Sequence, residues 1–157
     1  MTTISTNLQA VRARIAAAAQ LAGRAVEDIR LLAVSKTFPP ERIREAALAG
    51  QIAFGENYLQ ESLGKIAALA DLGLEWHFIG PLQSNKTRPV AEHFDWVHGI
   101  ERLKIAERLA AARGATRPPL QVCIQVNVSG EASKHGVSPG ETAALAHAVA
   151  GLPNLRW

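Results

Sequence analysis

The stretch Leu120-Gln121-Val122-Cys123-Ile124-Gln125-Val126-Asn127-Val128-Ser129 decides between the folds open to this chain. Val122, Ile124, Val126 and Val128 alternate with Cys123, Gln125, Asn127 and Ser129, the period of a strand with one apolar and one polar face. A strand in an open sheet covered by helices on both sides is apolar on both faces. A single polar face fits a strand that lines a barrel interior and packs its other side on helices.

Outward from this run the pattern repeats. Towards the amino terminus, residues 5–22 read as a helix, with Leu8, Val11, Ile15, Ala18 and Leu21 at three- and four-residue spacing and Gly23 as its stop. Ile29–Lys36 reads as a buried first strand ended by Pro39-Pro40, which open a second helix carrying Ile43, Ala46, Ala47 and Leu48 on its apolar side. Ile52–Asn57 is a second strand, followed by a helix from Tyr58 to about Leu72. Glu75–Gly80 and Asp95–Ile100 are further strands, separated by a loop at Pro81–Asn85 and a short helix to His93. Glu101–Arg113 is helical, and Ser138-Pro139 starts another helix that runs to about Ala150. Asn154–Trp157 begins a sixth strand. Strands alternating with helices specify an α/β fold with a parallel sheet. No G-x-G-x-x-G turn follows the first strand, so the dinucleotide-fold signal is missing. We therefore expect a (β/α)₈ barrel of the TIM type, as a single domain over residues 1–157. Such a barrel needs about 250 residues. These 157 residues supply five units and the start of a sixth, so the chain is expected to be part of a barrel or to be completed by a partner.

Composition narrows the classes. Hydrophobic residues make up 48% and charged residues 20%, enough for a core. The net charge is +3 with the basic residues scattered, so no nucleic-acid stripe is expected. The single cysteine, Cys123, rules out an internal disulfide and fits a reducing cytoplasm. Met1–Ser5 does not read as a leader, and no membrane-spanning run occurs.

Lys36 is the candidate for covalent chemistry. A lysine closing a buried strand is held where the ammonium form is disfavoured. Only the neutral amine attacks a carbonyl, and a free lysine is neutral in roughly one molecule in 2,500 at pH 7. A desolvated lysine is therefore a Schiff-base former. The competing reading is a lysine that snorkels to solvent at a strand end.

Three segments then resemble a known family: Leu31–Thr37, Phe54–Tyr58 with Gln60-Glu61, and Trp76–Lys86. Gln125–Val128 and Lys134-His135-Gly136 fit it as well. Together they are similar to the pyridoxal phosphate homeostasis proteins, small single-domain relatives of the alanine racemase barrel. The resemblance implies a (β/α)₈ barrel preceded by one helix, with pyridoxal 5'-phosphate held as a Schiff base on Lys36. Family members continue past the position of Trp157. That part carries the last strands, the phosphate-binding segments and an arginine near the pyridine nitrogen, so weaker cofactor binding is expected of these 157 residues. Phe38 stands where some relatives have a second lysine.

Other residues are weighed beside Lys36. Asn57 ends its strand at the active-site mouth of a barrel and is a candidate cofactor contact, or else a cap for the next helix. His77 either faces a ligand from the lumen or is a core histidine. Ser84 and Asn85 lie in a loop at a strand's carboxyl end and border the cofactor, or cap a helix. Asn127 and Ser129 contact the ring or serve a polar lumen network. Lys134 reads as solvated and Cys123 as a small buried hydrophobe. His93 and His98 lack metal-ligand spacing, so no metal is expected. No second catalytic residue is evident, and Tyr58 is the only tyrosine. The expected function is a cytoplasmic, monomeric carrier of pyridoxal phosphate in vitamin B6 homeostasis, with apoenzymes as recipients, no nucleic acid and no membrane. The alternative is a pyridoxal-phosphate racemase or a Schiff-base lysine aldolase on the same barrel.

Overall fold

The first helix, α1 (Ile4–Leu21), begins where Thr3 caps it by accepting the Thr6 N–H at 3.1 Å. It ends at Ala22, beyond which Gly23 takes φ +63°. The structure is a computed structural model that describes residues 3–157; Met1 and Thr2, on which the leader reading partly rests, lie outside the described residues. Among the described residues, no helix is long and apolar enough to cross a membrane.

Six strands follow: β1 (Ala33–Val34), β2 (Ala53–Glu56), β3 (Glu75–Phe78), β4 (Trp96–Ile100), β5 (Leu120–Ile124) and β6 (Leu155–Arg156). Between them come α2 (Pro40–Leu48), α3 (Leu59–Ala68), α4 (Thr87–His93), α5 (Leu103–Arg113) and α6 (Thr142–Ala150). All strand pairs are parallel, and the order across the sheet is β1-β2-β3-β4-β5-β6. A doubly wound sheet reverses its order at a switch point; this sheet does not. With crossovers of one hand, an order without reversal puts every helix on the same face. Consecutive helices accordingly pack together: α1 on α2, α3 on α4, α4 on α5 and α5 on α6. The result is an arc of an alanine-racemase-like α/β barrel.

The hydrophobic core lies between this arc and its helices. Phe54, Trp76, Phe78, Val97, Leu120 and Val122 from the strands meet Ile43, Val90, Ile105, Leu109 and Val149 from the helices. Phe78 and Phe94 pack edge to face at 5.3 Å. Buried Arg113 satisfies carbonyls that the core leaves open, donating to Ala91 O at 2.8 Å, Phe94 O at 2.7 Å and Pro118 O at 2.7 Å.

Several expectations are corrected. The buried first strand over Ile29–Lys36 is only the two-residue β1, and Val34 is 49% exposed. The reason is position: among the described residues, β1 pairs with β2 on one side and with no strand on the other. Leu48 lies off the stripe that buries Ile43 and Ala46 and is exposed. The helix after β2 stops at Ala68, and a 3₁₀ turn over Ala70–Leu72 ends at Gly73. β5 stops at Ile124; beyond it Val126 bridges to Val137 instead of β4, and Val128 is exposed in the loop.

Candidate functional site

Side chains alternate across each strand, which sorts them into a helix face and a lumen face. On β1, Ala33 joins the core and Ser35 is buried against Glu56, so Val34 and Lys36 take the lumen face. The register that pairs Val34 with Gly55, carried two residues further, puts Lys36 beside Asn57 at the carboxyl ends of β1 and β2. Lys36 is exposed, which corrects the expectation of a desolvated amine in an apolar surrounding. An edge strand cannot surround its last residue with core.

The backbone on either side of Lys36 is held firmly. Ser35 donates its N–H to Gly55 O at 2.9 Å and its hydroxyl to Glu56 Oε1 at 2.6 Å. Its carbonyl accepts from Lys65 Nζ at 2.9 Å. Thr37 takes φ +67°, the left-handed region that a β-branched residue avoids, and its N–H is accepted by Glu61 Oε1 at 2.8 Å. Lys65, only 4% exposed, joins the two sides: it bonds Glu56 at 2.8 Å, Ser35 O and Glu61, using all three ammonium protons. The Lys65 hydrogen bond, with help from the Thr37 N–H, lowers the Glu61 pKa below the ordinary carboxylate range. Sequence reading missed this network. Its one trace was Glu61 and Lys65 at i, i+4 on a helix, a spacing that reads as a solvated surface pair.

Asn57 has a buried Oδ1 without a hydrogen-bond partner. It does not cap α3, whose cap position is Tyr58, so the capping alternative falls. The loop after β3 presses against it: a Cβ on Gly80 would lie 2.6 Å from Asn57 Cβ, so only glycine fits there.

His77 lines the lumen below the rim, buried, with both ring nitrogens engaged. Nδ1 meets His98 Nε2 at 2.8 Å, and Nε2 meets Glu75 Oε1 at 2.6 Å. Its ring stacks on Trp96 at 5.3 Å and 5°. Burial lowers the pKa of both histidines; Glu75 partly offsets this for His77, and His77 adds to it for His98. His77 thus belongs to a lumen network: it faces the lumen, as the ligand reading had it, and is held by two side chains where the core reading expected a backbone carbonyl.

Ser84 and Asn85 start the turn before α4. Ser84 O accepts from Thr87 Oγ1 at 2.9 Å, and Asn85 is exposed. The same loop reaches Asn57 through Gln83 and Lys86, which border an open groove of about 620 Å³ with Asn57 and Tyr58; Ser84 and Asn85 do not line it. Asn127 commits both ends of its amide to its own loop, Nδ2 to Glu131 O at 3.0 Å and Oδ1 to the Gly130 N–H at 3.1 Å. Both bonds close within the loop that follows. Ser129 and Lys134 are exposed. Cys123, expected to be buried, is half-buried, and burial raises its thiol pKa, which disfavours the thiolate. Among the described residues, no three His, Cys, Asp or Glu side chains gather as a metal set. Of the six candidates, Lys36 and Asn57 share the rim and His77 lies beneath it. Ser84 lends only its backbone carbonyl, to Thr87 and Arg108, Asn85 is exposed, and Asn127 serves its own loop.

Comparison with known proteins agrees with this geometry. Residues 6–157 match the family model for the N-terminal domain of alanine racemase. The chain is 64% identical over 156 residues to the pyridoxal phosphate homeostasis protein of Pseudomonas aeruginosa, covering 99% of this chain and 68% of that protein. It is 58% identical over 159 residues to the protein of that name in Escherichia coli K12, covering 99% and 68%. The structure of PipY from Synechococcus elongatus with pyridoxal phosphate bound matches at TM-score 0.76 and 38% identity, over 90% of this chain and 66% of that one. Alanine racemase from Corynebacterium glutamicum matches at TM-score 0.57 and 21% identity, over 94% and 42%, a likeness of fold alone. The chain spans about two thirds of the length of the homeostasis proteins it matches. Those relatives are named for homeostasis of a cofactor and not for a reaction. The chain belongs to the alanine racemase N-terminal domain family, among its pyridoxal phosphate homeostasis proteins.

Proposed function

We propose that this chain binds pyridoxal 5'-phosphate and holds it as a Schiff base on Lys36, as a carrier in vitamin B6 homeostasis. Placement carries the reading. Lys36 is exposed, on the lumen face, at the carboxyl end of a barrel strand, where this architecture keeps its functional groups. Among the described residues it enters no ion pair, while Lys65 enters two. When bound, the cofactor supplies an aldehyde that a primary amine condenses with. An amine free of a carboxylate partner reaches that carbon without breaking a pair.

The residues present fit the group at its aldehyde end. Asn57 stands at the same rim; its Oδ1 is buried and unpartnered, and an outward turn of the amide would offer it to the ring hydroxyl. Beneath, His77 and His98 are tied to each other and to Glu75, so neither is free to move a proton at a substrate carbon. Storage and release suit this arrangement better than turnover. The homeostasis names of close relatives, and cofactor in the PipY structure, support the same reading. We extend it to a cytoplasmic monomer that passes the cofactor to apoenzymes.

The test is borohydride reduction of the protein with pyridoxal phosphate, followed by peptide mapping. We expect a pyridoxyl group on Lys36, and near-violet absorbance that is lost in Lys36→Ala. A label on any other lysine, or none, overturns the reading.

A further inference from the structure

We propose that Glu61 and Lys65 are positioning residues for Lys36: with Glu56 they clamp the backbone on both sides of it and fix where its amine stands. The inference rests on the Schiff-base reading above and deepens it. Ser35, on one side, has its N–H, carbonyl and hydroxyl all bonded, the last two to Lys65 and Glu56. Thr37, on the other side, is left-handed inside a turn that the Phe38 N–H closes on Ser35 O at 3.1 Å, and its own N–H is accepted by Glu61. Lys65 bonds Glu61, Glu56 and Ser35 O, so both halves of the clamp meet on a single buried ammonium. The three charged groups lie on the helix side of β1 and β2 and do not reach the lumen. Their effect on the amine therefore passes through the main chain.

Without Glu61 the strained backbone of Thr37 keeps only the Phe38–Ser35 turn bond around it and is freer to relax towards an ordinary conformation. The side chain of Lys36 then samples directions away from the rim. Condensation forms a C=N bond from Lys36 Nζ to the aldehyde carbon. The C=O bond breaks, and its oxygen leaves as water with the two protons of the neutral amine. A fixed amine raises the share of molecules placed for that step. Binding of the ring without the aldehyde gains nothing from it.

The experiment compares the 157-residue protein with Glu61→Ala, Glu61→Gln and Thr37→Gly, using pyridoxal phosphate and its alcohol analogue, pyridoxine phosphate. Glu61 is in the first turn of α3, and its removal leaves Lys65 paired with Glu56, so the fold is kept. We expect Glu61→Ala to lower the Schiff-base equilibrium about tenfold, or about 1.4 kcal/mol. Affinity for the alcohol should not change. Glu61→Gln, which keeps an acceptor for the Thr37 N–H, should retain most of the wild-type yield. In a Thr37→Gly background, where the left-handed turn no longer needs a tether, Glu61→Ala should cost less. Equal loss for aldehyde and alcohol, an unaltered yield in Glu61→Ala, or an equal cost in both Thr37 backgrounds overturns the clamp. A wild-type protein that never labels Lys36 overturns the Schiff-base reading itself, a separate result.

Discussion

Lys36 and Lys65 meet the same short segment of chain from opposite sides, and they are treated in opposite ways. Lys36 is exposed and enters no ion pair among the described residues; Lys65 is buried, with all three protons spent. Read from sequence, the two look exchanged. Lys36 closes an apolar run and reads as the costly buried lysine, while Lys65 follows Glu61 by four residues on an amphipathic helix and reads as solvated. The contrast teaches that burial of a strand end depends on what lies beside the strand, not on the run that leads into it. Among the described residues β1 has one neighbouring strand, and Lys36 is exposed beside that open edge. Lys65 instead points under that edge, where Glu56 offers a carboxylate that is itself fully buried.

The sharpest way to break the contrast is Lys65→Met. It leaves Glu56 buried without its cation and should cost about 3–5 kcal/mol in urea unfolding. A cost like that of a surface substitution would show that the network is solvated after all. Next comes Gly80→Ala. The new methyl would meet Asn57 Cβ at 2.6 Å and its carbonyl oxygen at 2.7 Å, and should cost about 1–3 kcal/mol. A neutral result would mean that the rim beside Lys36 is loose.

Acid should act more gradually. The His77 and His98 pKa values are lowered from 6.5, so between the folded and unfolded values the unfolded chain binds more protons. Their contribution to stability is present above that pH and is lost as pH falls through the lowered folded values. Glu61, lowered from 4.5 by Lys65 first, follows the same sign at more acid pH. Urea midpoints from neutral to acid pH should fall in that order, and Lys65→Met should shrink the second fall, leaving the part due to the Thr37 N–H. The smallest effect on stability belongs to Lys36→Ala, within about 0.5 kcal/mol, although it removes the borohydride label. A large loss of stability there would give Lys36 a structural role that its exposure denies.

Much of the fold was legible because it depends on local signals. Helix α1 was read to within one residue at each end, since Gly23 and the three- and four-residue spacing are local. The alternation in β5 pointed to a barrel, and the unreversed strand order bears that out. The length of β1 and the exposure of Val128 were not legible, because both follow from which strand lies alongside. Lys36 and Asn57 were read at strand ends, and the register sets them side by side there. Asn127 was placed on a lumen-facing run, but its amide is taken by residues Gly130 and Glu131 in a turn that alternation does not show. The Glu56–Lys65 pair joins a strand to the following helix, and nothing in the spacing of residues 56 and 65 announces it.

The stacking of Trp96 on His77 has an optical consequence. Of the three tryptophans, Trp76 is buried in the core, Trp157 is at the exposed carboxyl terminus, and Trp96 faces the lumen. On the reading proposed above, an imine chromophore on Lys36 would absorb where tryptophan emits and take energy from the excited indole through space. Trp96 would then serve as a fluorescent gauge of loading, its dimming registering arrival and departure of the vitamin without any attached dye.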